Sequence, residues 1–118
     1  LIGQIKSYII EIIHQQNGEL KSNLSDYLSS KLHHDYTYLS NLFSEVEGMT
    51  IEKYFIAQKI EKVKELLVYD ELSLSEIAYH MNYSSVGYLS NQFKKVTGLT
   101  PTHFKNIKEN KRKPLDEV

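Results

Sequence analysis

The stretch Ser73–Lys105, SLSEIAYHMNYSSVGYLSNQFKKVTGLTPTHFK, reads as two short helices meeting at a tight turn with a third helix behind them. Ser73 and Glu76 stand at capping-box spacing, where a serine and a glutamate satisfy each other's free N–H groups at a helix start. Ile77, Ala78 and Met81 supply the buried face of that first helix. Asn82 sits where the chain must turn, and asparagine tolerates the left-handed backbone such turns use. Ser84 or Ser85 can cap the second helix, in which Leu89, Phe93 and Val96 recur at intervals of four and three and predict a core-facing stripe. Gly98 stops it. Thr100-Pro101 then opens a third helix with an N-cap and a proline at the first helical position, carrying Phe104 inward. The pattern is that of a helix-turn-helix.

Sliding the chain against itself shows a second copy. An offset of 50 lays Tyr38-Leu39-Ser40-Asn41 on Tyr88-Leu89-Ser90-Asn91, Phe43 on Phe93, Val46 on Val96, Gly48 on Gly98 and Thr50 on Thr100. Upstream, an offset of 49 fits better and pairs Leu28 with Ile77 and Leu32 with Met81, so one of the two turns is a residue shorter.

Around these copies the rest of the chain reads as helix. Ile2, Ile5, Ile9, Ile12 and Ile13 have helical spacing, although the β-branched run Tyr8–Ile13 would also suit a strand. Asn17-Gly18 marks the stop. Leu24, Leu28 and Leu32 define a second helix from about Asn23. Asp35 can cap a third, with Leu39, Leu42, Phe43 and Val46 inward. The longest helix, from Thr50 to about Tyr69, turns Ile51, Phe55, Ile56, Ile60, Val63 and Leu67 inward and Lys53, Glu61, Lys64 and Glu65 to water. Asp70-Glu71 connects it to the opening stretch. The expected architecture is all-α, with about seven helices. It has a first helix-turn-helix subdomain over 1–50, a linking helix over 51–70, a second subdomain over 71–109, and a disordered tail over 110–118 without periodicity.

Composition narrows the function classes. With no cysteine among 118 residues, neither a disulfide framework nor a thiolate metal site is available. No apolar run approaches the roughly 18 residues of a membrane span, and no signal peptide opens the chain, so a cytoplasmic location is expected. The start at Leu1 suggests a piece of a longer protein. His14, His33, His34, His80 and His103 lack a carboxylate pair at ligand spacing, so no metal and no cofactor are expected. Nor does any spacing offer converging acid, base and nucleophile, which argues against an enzyme. The net charge of −1 is low for a nucleic-acid binder, but it is unevenly spread. Residues 1–50 carry three lysines against six acids, whereas Tyr83–Lys113 carries seven cations against Glu109 alone. A phosphate-facing surface should therefore lie in the C-terminal third.

Ile77-Ala78, Tyr83-Ser84-Ser85, Tyr88-Leu89-Ser90, Phe93-Lys94-Lys95, Gly98 and Thr100-Pro101 resemble the C-terminal signature of AraC/XylS-type transcription regulators. The resemblance covers Ile5 to about Lys108. It implies a seven-helix DNA-binding domain with two helix-turn-helix units joined by a long helix, double-stranded DNA as partner, and attachment to a separate sensor or dimerisation domain. It also admits RNA polymerase as a partner, with the isolated domain a monomer.

Periodicity alone selects the DNA-facing residues. If Leu39, Phe43 and Val46 face the core, Thr37, Ser40, Asn41 and Ser44 face away, and so do Gly87, Ser90, Asn91 and Lys94 in the second copy. Recognition helices, here about 35–47 and 85–97, enter the major groove by their N-termini, which adds Tyr36 and Val86. Asn41 and Asn91 have the amide geometry to pair bidentately with adenine, worth roughly 1–3 kcal/mol of discrimination. Lys94, Lys95 and Lys105 are the phosphate candidates; such contacts position a protein without specifying a base. The sequence departs from the family in two ways. Asparagine stands at the last-turn reader position where relatives often have arginine, and Ser44-Glu45 replaces Lys94-Lys95 in the first copy. A linking helix of about 20 residues spans roughly 30 Å, close to the roughly 34 Å between successive major grooves, so one chain is expected to read two grooves. The competing expectation is a helical protein-interaction module, suggested by the near-neutral charge and the acidic first copy.

Overall fold

The computed structural model describes residues 1–16, 20, 22–69 and 72–112, and the described residues form seven α-helices. These are α1 (Ile2–Gln16), α2 (Leu24–Leu32), α3 (Tyr36–Glu47), α4 (Ile51–Tyr69), α5 (Leu74–His80), α6 (Val86–Thr97) and α7 (Pro101–Arg112). The chain divides into two compact units, Leu1–Lys59 and Ile60–Val118, with the division inside α4. The helix that the sequence sets apart as a linker is thus shared between the units.

In the first unit, α1 packs against α2 and α3. The β-branched run of α1 is helical because Ile5, Ile9, Ile12 and Ile13 all fall on one face and are fully buried there. Leu28, Leu32, Leu39, Phe43 and Ile51 complete the core. Burial of each large aliphatic or aromatic side chain contributes about 1.5–3 kcal/mol, far more than the helix propensity that isoleucine lacks. In the second unit α6 packs on α5 and α7, around Ile60, Val63, Leu67, Ile77, Ala78, Met81, Leu89 and Phe93.

The duplication extends to packing geometry. Phe43 meets Tyr54 edge to face at 5.5 Å and 67°, and Phe93 meets Phe104 at 5.5 Å and 70°. Gly48 and Gly98 end α3 and α6 with φ of 72° and 83°, a left-handed backbone that glycine adopts without strain. Thr50 and Thr100 each accept a backbone N–H three residues on, at 3.1 and 3.2 Å. Ser73 and Glu76 form both bonds of the capping box, and Ser85 rather than Ser84 caps α6.

Several side chains sit differently from the periodic reading. Val46 and Val96 are 62% and 45% exposed, although both were expected in the core. Periodicity gives direction around a helix but not how much of that direction the neighbouring helices cover at a given turn. Leu24, Leu42, Phe55 and Ile56 are half-buried. Asp35 stands at the N-cap of α3 in extended conformation but makes no capping bond. Helix α7 continues to Arg112, past the expected end near Glu109. The Asn17-Gly18 stop, the Asp70-Glu71 connection, and Lys113 with the rest of the tail lie outside the described residues.

Candidate nucleic-acid interface

Each recognition helix begins after a left-handed residue that is not glycine. His33 (φ 55°) follows α2, and Asn82 (φ 60°) follows α5. The two are equivalent at the offset of 49, and from each the chain turns into a helix of 12 residues, α3 or α6. The path between them is one residue longer in the second unit, as the offsets require.

On α3, Thr37 and Asn41 are exposed, while Ser40 and Ser44 are half-buried. On α6, Gly87, Asn91 and Lys94 are exposed, with Ser90 and Val86 half-buried. Each unit therefore displays its asparagine on the side of the recognition helix turned from the core. A Cβ added at Gly87 would meet nothing closer than the Ser85 hydroxyl at 3.8 Å, so no atom of the protein requires a glycine there.

Tyr36 behaves differently from the other expected reader residues. Its hydroxyl donates to the Glu52 carboxylate, whose oxygens lie 3.0 and 3.1 Å away, and burial together with that bond raises its pKa. In the second unit the equivalent residues are Val86 and Thr102. The charge around the two helices also differs. Lys94 and Lys95 are exposed near the end of α6, and Lys105 is half-buried on α7. Exposed Glu45 takes the place of Lys95 on α3, and Glu47 forms an ion pair with Lys6.

Periodic reasoning passed over one matched pair. Tyr38 and Tyr88 are 51% and 56% exposed on the first turns of α3 and α6. The signal was their identity at the 50-residue offset, which served only to mark the repeat.

Among the described residues, no group of three or more His, Cys, Asp or Glu side chains comes together as a metal site. No described helix is long and apolar enough to cross a membrane.

A family model described as a helix-turn-helix domain matches residues 28–107. The chain belongs to the AraC/XylS-type helix-turn-helix family. As a member, it is a DNA-binding domain of a transcription regulator, and the family is not an enzyme class. It is 27% identical over 107 residues to the HTH-type transcriptional regulator YtdP of Bacillus subtilis, covering 90% of this chain and 14% of that protein. To the xylose operon regulatory protein of Escherichia coli K12 it is 35% identical over 69 residues, 58% of this chain and 18% of that one. The chain thus spans less than a fifth of the length of these relatives. Among solved structures, the C-terminal domain of the two-component response regulator yesN of Fusobacterium nucleatum aligns with a TM-score of 0.70 and 32% identity, covering 86% of this chain and 98% of that one. The DNA-binding domain of AdpA, solved with a target DNA, aligns with a TM-score of 0.77 at 16% identity over 94% of this chain and 95% of that one, a likeness of fold.

Proposed function

We propose that the chain reads DNA sequence through both recognition helices, with α6 the better anchored of the two. The observation that carries this reading is the recurrence of an exposed asparagine, Asn41 and Asn91, at equivalent positions on two helices of the same build. Thr37, Ser40 and Asn41 face base edges from α3, and Val86, Gly87, Ser90 and Asn91 from α6. The half-buried Tyr36 side chain supports α3 more than it reaches a base, because its hydroxyl is held by Glu52.

Lys94, Lys95 and Lys105 hold phosphates. Each releases condensed counterions on binding, so affinity falls with salt. The amide of Asn91 offers the donor and acceptor that adenine presents in the major groove, and Val86 packs on a thymine methyl. The first unit lacks the lysine pair and carries Glu45 in its place, so it contributes specificity with less phosphate attraction. In the longer protein the domain acts in the cytoplasm, under a sensor or dimerisation domain and with RNA polymerase as a further partner, and alone it is a monomer.

Titration of the chain with mixed-sequence duplex across a salt series tests the reading. Affinity that falls steeply and linearly on a log–log plot is expected. Salt-independent or undetectable binding at low ionic strength would overturn it in favour of a protein-interaction module.

A further inference from the structure

We propose that Tyr38 and Tyr88 form a duplicated pair of phosphate clamps, one on the flank of each recognition helix. This rests on the DNA-reading function above and assigns to it two residues that periodicity did not select.

Both tyrosines lie on the third residue of a 12-residue helix, in the first turn, where the positive end of the helix dipole favours an anion. Each is three residues before the exposed asparagine, about 60° around the helix from it. That places the phenol beside the base-facing strip rather than in its centre, which is where the sugar–phosphate backbone borders a helix lying in the groove.

The two rings are held in matching ways by the turns that precede their helices. His34 stacks on Tyr38 at 5.3 Å and 29°, and Tyr83 packs on Tyr88 at 5.9 Å and 44°. His34 and Tyr83 are equivalent at the 49-residue offset, each directly after the left-handed His33 or Asn82. The support in the second unit is itself anchored, because the Tyr83 hydroxyl donates to Gln92 Oε1 at 2.7 Å. An aromatic prop has thus been kept in both copies although its residue type has changed from histidine to tyrosine.

The hydroxyls complete the case. Tyr36 and Tyr83 spend theirs on Glu52 and Gln92. Among the described residues, those of Tyr38 and Tyr88 have no hydrogen-bond partner, although both rings are fixed and half in solvent. A neutral, pre-positioned donor at the positive end of a helix suits a phosphate oxygen. It adds affinity without sequence preference, and because it carries no charge it releases no counterion.

Tyr38→Phe, Tyr88→Phe and the double variant keep both rings and remove only the donors. Binding to a mixed-sequence duplex, and to a set of single-base variants of one selected site, is measured over a salt series, with thermal melting as the control for folding. Each Phe is expected to weaken binding on the order of tenfold at every salt concentration. The two losses should multiply, and both the salt slope and the ranking of sequences should stay unchanged. Wild-type affinity in the Phe variants would overturn the proposal, as would a loss confined to particular base pairs. If the wild-type chain itself bound no DNA, the function proposed above would fail before any variant was compared.

Discussion

The Tyr36 hydroxyl and the Glu52 carboxylate are 3.0 Å apart, which ties the first residue of α3 to the first turn of α4. A bond from a neutral donor to a carboxylate in a partly solvated place is worth about 1 kcal/mol. Tyr36→Phe should therefore lower the unfolding free energy by about that amount in a denaturant titration. Its effect on DNA affinity should be smaller than that of Asn41→Ala, because the hydroxyl is already occupied within the unit.

Gly87 offers a separation of stability from binding. Glycine inside a helix costs roughly 0.5–1 kcal/mol relative to alanine, and the space for a Cβ is open here. Gly87→Ala should raise the melting temperature while weakening DNA binding, since a methyl on the base-facing strip holds α6 away from the groove. Unchanged affinity would remove Gly87 from the interface.

Lys94 and Asn91 should fail in different ways. Lys94→Ala is expected to weaken all sequences alike and to reduce the magnitude of the salt slope by about 1. Asn91→Ala should relax preference at one base pair, by about 1–3 kcal/mol, with the slope unchanged. The reverse pattern would mean that α6 turns Lys94 to the bases and Asn91 to the phosphates.

The first unit can be pushed toward the second. Glu45→Lys restores the charge that Lys95 provides in the other copy, and it should tighten binding to mixed-sequence DNA and steepen the salt slope by about 1. No change in slope would place the C-terminal end of α3 away from phosphate.

The capping box gives a pH dependence with a defined sign. The Ser73 backbone N–H, and after it the Ser73 hydroxyl, holds Glu76 below the usual carboxylate range. A depressed folded pKa contributes stability that is present above the unfolded value, about 4.3, and is lost as pH falls through the folded one. Melting curves should show wild type losing stability below about pH 4.3 more steeply than Glu76→Gln, which keeps a cap but does not titrate.

The fold was largely legible because its information is local and repeated. Capping serines, stop glycines and the 50-residue offset each fix a boundary, and two copies correct one another. What was not legible depends on extent or on side-chain partnership. Val46 and Val96 have the phase of the core stripe but are exposed. Asp35 occupies a cap position without capping, and Tyr36 lies at a reader position but bonds to a residue 16 places on. The propped Tyr38 and Tyr88 could be found only once the turn residues His34 and Tyr83 were placed against them.

The most direct test of the central claim, that both recognition helices read DNA, is a cleavage-protection footprint on a selected duplex site with the wild-type chain, Asn41→Ala and Asn91→Ala. Two separate protected major-groove segments are expected, with Asn41→Ala relaxing base preference in one and Asn91→Ala in the other. A single protected segment, with Asn41→Ala indistinguishable from wild type at every position, would contradict it.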